Sequence, residues 1–182
     1  ICEKYQNHTI TFFLNDNIIW IMKSIFHNIK NLKIVPYSNP GLIGYIDHHF
    51  NLMMSLKVLN IQYEDLKFTP LFKNVQTNTN KEIEYKDKKT YVLNWKGNPK
   101  NINEQHNRQM DLSNAIPLFK RSDIYWIVIT KDINVHEAHI LKKYNVMYLG
   151  NIIDLGKDCF YDSIELLRHV SGVITTDTSI AH

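Results

Sequence analysis

Apolar and polar positions alternate with changing period along this chain, and each change predicts an element. Thr9–Leu14 alternates with β-prone residues and predicts a strand. Asn15, Asp16 and Asn17 then supply N-cap oxygens for a helix over about Ile18–Asn28. Its residues Ile18, Ile21, Met22, Ile25, Phe26 and Ile29 fall on one face. Leu32–Val35 predicts a second strand, ended by Pro36. Loop signals at Asn39-Pro-Gly41 and Gly44 precede a short amphipathic helix over His49–Leu59, with Leu52, Met53, Leu56 and Leu59 as its apolar stripe.

Between Lys73 and Lys89 the pattern fades into Asn, Thr, Lys and Glu, which predicts a linker. Beyond it, strands at Tyr91–Trp95, Ile124–Ile129, Val146–Leu149 and Gly172–Thr175 alternate with helices at Asp111–Lys120, Val135–Lys143 and Phe160–His169. Pro117 limits or kinks the first of these helices. Strand–helix alternation with short links predicts an α/β chain built on parallel sheet. The expected division is residues 1–72, a linker over 73–89, and a second unit over 90–182.

Composition narrows the classes. With 182 residues, 44% hydrophobic and 21% charged, the chain is globular. A net charge of +3 with scattered Lys and Arg gives no footprint for nucleic acid. No apolar run approaches the roughly 20 residues of a membrane-spanning helix. Cys2 and Cys159 are too far apart for a zinc motif or a disulfide framework, so a reducing compartment, the cytoplasm, is expected. Cys159, ahead of an apolar helix, reads as a buried thiol. Ile, Asn and Lys supply 62 residues against three Ala and three Arg, so Asn-rich stretches carry little chemical meaning by themselves. The start on Ile1 and the stop at His182, inside a helix that is just beginning, predict a fragment of a longer protein.

In parallel sheets ligands bind beyond the carboxyl ends of the strands. Two such segments stand out. Lys96-Gly97-Asn98-Pro99-Lys100, with Arg108 further on, combines a close-approach glycine with cations suited to phosphate. A solvated loop with an Asn–Pro turn accounts for the same residues. Val173–His182 runs an apolar strand into Asp177, Thr178 and Ser179, where a helix start would offer backbone N–H groups to a diphosphate and His182 lies one turn on. A plain helix cap at Asp177 or Thr178 explains that composition without a ligand. Asp47, His48 and His49 form a titratable trio from which a single general base could come. Adjacent side chains diverge, which disfavours a metal site there. His136 and His139 share a helix face without a third ligand.

These stretches together resemble glycosyltransferase family nine, the heptosyltransferase relatives, especially catalytic regions attached to tetratricopeptide repeats. Val92-Leu-Asn-Trp-Lys-Gly-Asn-Pro-Lys100 with Asn107-Arg108 is similar to the family's W-x-G-N-P and N-R-S segments. Phe160-Tyr-Asp-Ser163 and Val173-Ile-Thr-Thr-Asp-Thr-Ser-Ile-Ala-His182 resemble its F-x-D-T-A helix and V-I-x-x-D-T-x-x-A-H turn. Ile46–Leu56 is similar to the D-x-x-x-P-L-x-S-L stretch that ends the family's N-terminal domain. Lys96 stands where the family commonly has Ala, Gln109 where it has Ser, and Asn51 where it has Pro.

The resemblance implies a GT-B architecture of two Rossmann-like domains, here the end of the first and most of the second. It implies transfer of a hexosyl or heptosyl unit from a nucleoside diphosphate sugar to a saccharide or protein acceptor, with no metal or other cofactor. Trp95, Lys96, Gly97, Asn98, Arg108, Asp177, Thr178, Ser179 and His182 would hold the donor, and Asp47 or His48 would be the base. As a fragment the chain is expected to be inactive alone. The alternative classes are a non-catalytic nucleotide-sugar-binding or scaffold module of the same fold, and an epimerase on the same two-domain plan.

Overall fold

The computed structural model describes residues 1–65, 72, 75, 88–101 and 108–182. The expected linker falls mostly outside them, as do His106 and Asn107. The chain divides into two compact units, Ile1–Gln76 with Gly156–Cys159, and Thr77–Leu155 with Phe160–His182. Both are mixed α/β with parallel strands. Among the described residues no helix is long and apolar enough to cross a membrane.

In the first unit, strand β1 (Ile10–Leu14) and strand β2 (Leu32–Pro36) pair in parallel, with Ile10 opposite Leu32 and Leu14 opposite Pro36. Helix α1 (Ile19–Ile25) connects them after a 3-10 turn over Asp16–Ile18 capped by the Asn15 side chain. Ile21 and Val35 are its buried apolar contacts, and Phe12 meets Phe26 edge-on. Asn31 Nδ2 reaches the carbonyls of Cys2, Tyr5 and His8 at 3.0–3.2 Å, which ties the N-terminal turn to β2. Gly156–Cys159 joins this unit through Trp20, whose indole N–H donates to the Cys159 carbonyl at 3.0 Å. Cys159 is half-buried, less enclosed than its sequence context predicts.

The helix expected over His49–Leu59 is reduced to a 3-10 turn, Leu52–Met54, and one turn of α2 (Ser55–Val58). Asn51 starts it late by accepting the Met53 N–H, and Asn60, at φ 51°, stops it early. Leu59 is buried, but Leu52, Met53 and Leu56 of the expected stripe are exposed.

The second unit holds a four-stranded parallel sheet in the order β5-β4-β3-β6. Its strands are β3 (Lys89–Asn94), β4 (Ile124–Val128), β5 (Met147–Tyr148) and β6 (Gly172–Thr175). Alternation along β3 splits its side chains between two layers. Leu93 packs with Trp126, Val128, Phe119 and Leu141, under helices α3 (Ile116–Phe119) and α4 (Val135–Lys143). Val92 packs with Ile127, Ile129 and Leu166, under helix α5 (Tyr161–Arg168). Covering on both faces is why β4 reads as a continuous apolar run.

The helix expected over Asp111–Lys120 is a 3-10 turn capped by Asp111, followed by the single turn of α3. Pro117, lacking an N–H, sits in the first turn of α3, where none is needed. Gly150 passes so close to β4 that a Cβ there would lie 2.0 Å from the Thr130 carbonyl oxygen.

Candidate functional site

All four strands of the second sheet point their carboxyl ends the same way, so their loops converge on one edge. Asn94, the last residue of β3, is buried there and joins three strands. Its amide nitrogen donates to Thr175 Oγ1 at 3.3 Å and to Thr178 Oγ1 at 3.0 Å. Its amide oxygen accepts from Thr130 Oγ1 at 3.0 Å. Thr130 in turn accepts the Trp95 backbone N–H at 3.3 Å. Thr175 gives its hydroxyl proton to the Thr176 carbonyl at 2.8 Å, so Thr178 is the donor in the 3.1 Å pair between them. The ends of β3, β4 and β6 are thus fastened by side chains as well as by the ladder.

Around this network lies an open cavity of about 600 Å³. The segment after β3 contributes Asn94, Lys96 and Gly97–Lys100, and that after β4 contributes Ile129, Lys131 and Asp132. Asp154 comes from the loop before α5, Phe160 and Ser163 from the start of α5, and Thr178–Ile180 from the turn after β6. A shallower hollow of about 330 Å³ adjoins it, sharing Gly97, Asn98, Thr178 and Ser179 and adding Asn101, Arg108, Asp177 and His182. There His182 Nε2 lies 3.2 Å from Asp177 Oδ1, both side chains being exposed.

Of the nine residues expected to hold a donor, Trp95 alone lines neither space. It is 1% exposed and belongs to the core. The cause is strand alternation, since Trp95 stands two residues after Leu93 and continues onto the same face. Lys96 lines the cavity, but not as an unpaired cation. Its ammonium bonds Glu137 Oε1 at 2.9 Å and Oε2 at 2.7 Å, with side-chain exposures of 15% and 12%. Glu137 also accepts the Trp95 indole N–H at 3.1 Å and the Asn134 backbone N–H at 2.7 Å. Burial pulls the Glu137 carboxyl up, yet these hydrogen bonds, led by that from Lys96, hold it below the usual glutamate range.

The helix start expected at Thr178–Ser179 is a three-residue 3-10 turn, Ser179–Ala181. Thr178 makes no capping bond, because its hydroxyl is spent on the Asn94 and Thr175 side chains. So short a turn aligns too few peptide dipoles to stabilise an anion much. Among the described residues, Arg108 is the arginine or lysine that lines the adjoining hollow.

Asp47 and His48, the expected bases, lie with His49 in an exposed loop of the first unit. His136 and His139 are exposed on α4. Among the described residues no group of three or more His, Cys, Asp and Glu could hold a metal.

Sequence reading missed Asn94, Thr130 and Thr175, although a polar residue ending an apolar strand is a usable signal. It also missed Asp154, at φ 50°, which serves α5 from outside the helix. Asp154 Oδ1 accepts the Asp162 N–H at 2.8 Å and the Ser163 N–H at 3.3 Å, and Asp162 returns a bond to the Asp154 N–H at 2.8 Å. Phe160, at φ 64°, leaves the ordinary cap position without a side-chain oxygen, and Asp154 fills that role.

Set beside known protein families, curated proteins and solved structures, the chain matches none of them.

Proposed function

We propose that this chain is part of a cytoplasmic glycosyltransferase of GT-B type, whose second unit binds a nucleoside diphosphate sugar at the carboxyl edge of its sheet. The observation that supports it is the cavity and adjoining hollow at that edge, with eight of the nine residues expected from the W-x-G-N-P, N-R-S and D-T-x-x-A-H segments around them. Apolar Ile129, Phe160 and Ile180 suit the faces of a nucleoside, and the polar loops suit its hydroxyls. Arg108, with Asn98 and Ser179, suits a diphosphate.

In the reaction a base removes the proton of an acceptor hydroxyl, whose oxygen attacks the anomeric carbon of the donor sugar. The bond from that carbon to the diphosphate oxygen breaks, and the diphosphate leaves with the electron pair. Arg108 stabilises this departing charge. Arg108→Ala and His182→Ala are expected to weaken donor binding, about tenfold for the arginine, with the fold intact by circular dichroism. Unchanged donor affinity in both variants would count against the proposal.

A further inference from the structure

We infer that Glu137 is a positioning residue for the bound diphosphate, acting through Lys96; this rests on the donor-binding reading above. Glu137 does not line the cavity, whereas Lys96 does. The carboxylate has no acceptor capacity to spare for a ligand. Oε1 takes the Trp95 indole and Lys96, and Oε2 takes Lys96 and the Asn134 backbone N–H. What it does is fix the ammonium. Two of the three Lys96 N–H bonds go to Glu137, and the Trp95 ring centroid lies 5.8 Å from Nζ. The third N–H is spent on no described residue and is left for an anionic ligand.

The other lysines on the cavity differ. Lys131 is exposed and held by one bond, to the Ile153 carbonyl, against the two that hold Lys96, and Lys100 stands on an exposed turn. Lys96 is therefore the cation held in one place with a donor to spare, next in sequence to Gly97 and Asn98, which the two spaces share. Fixing it beforehand spares a ligand the entropy of ordering a long side chain.

The test is the ratio of affinities for a nucleoside diphosphate and for its nucleoside, measured by calorimetry with UDP, GDP and ADP against uridine, guanosine and adenosine. Lys96→Met is expected to cut that ratio about tenfold, and Glu137→Gln by a similar factor. The double variant should lose no more than Lys96→Met alone, since Glu137 acts through the lysine. Lys96→Arg, which keeps a cation against the carboxylate but not the ammonium geometry, should retain more of the ratio than Lys96→Met. Equal weakening of nucleoside and diphosphate by Glu137→Gln, a further loss in the Lys96→Met background, or a gain in diphosphate affinity would each overturn the assignment. If Glu137→Gln does not fold, an unchanged ratio in Lys96→Met overturns it too. Wild-type protein that binds no nucleotide would instead remove the donor-binding reading itself, and the inference with it.

Discussion

Asn94 makes three side-chain hydrogen bonds at the candidate site, and its amide is suited to all of them. One end donates twice and the other accepts, so three strand ends are held by a single uncharged group. Asn94→Ala would leave Thr130 and Thr178 short of a buried partner, at a cost of about 1–3 kcal/mol. Asn94→Asp keeps the shape but turns two donors into acceptors, so it should be at least as harmful; chemical denaturation of both variants checks this. Glu137 gives a pH signature. Its carboxyl lies below the usual range in the folded state, so its stabilisation is complete above the ordinary glutamate pKa. That stabilisation is lost as pH falls through the depressed folded value. The stability gap between wild type and Glu137→Gln should therefore be largest near neutral pH and close in acid; a gap that stays constant would contradict the pairing. At this scale the sequence was only partly readable. Lys96, Gly97 and Asn98 could be placed by position after a strand, but the partner of Lys96 lies 41 residues away on helix α4. Trp95 was legible in principle, because strand period assigns it to the face of Leu93.

Elements were read best where local and long-range forces agree. Helix α4 spans Val135–Lys143 as expected, because Asn134 and Glu137 form a reciprocal capping box and Ile140 and Leu141 bury its inner face. Strand β6 also has its expected bounds, Gly172–Thr175. The stretch His49–Leu59 shows the opposite case, in which helical spacing lacked a surface to bury against and local capping by Asn51 and Asn60 prevailed. Close approach between elements is a third factor, and periodicity does not reveal it. Gly150→Ala should destabilise the second unit by about 1–3 kcal/mol through backbone overpacking, since its new methyl would meet the rigid Thr130 carbonyl. Thermal unfolding is the check, and a variant as stable as wild type would show that β4 and the Gly150 turn can separate.

Across the whole molecule, alternation of strands and helices was enough to predict parallel α/β units. It did not reveal that Gly156–Cys159 joins the first unit, since that depends on a hydrogen bond from Trp20 across 139 residues. Nor does a strand pattern say what a sheet edge binds; the loops carry that information. The central claim is that the second unit holds a nucleoside diphosphate at its carboxyl edge. The most direct measurement is calorimetric titration of the protein with UDP, GDP, ADP and their sugar conjugates, with Arg108→Ala alongside. Saturable binding of one nucleotide series, weakened in the variant, is the expected result. A well-folded protein that gives no heat with any of them would contradict it.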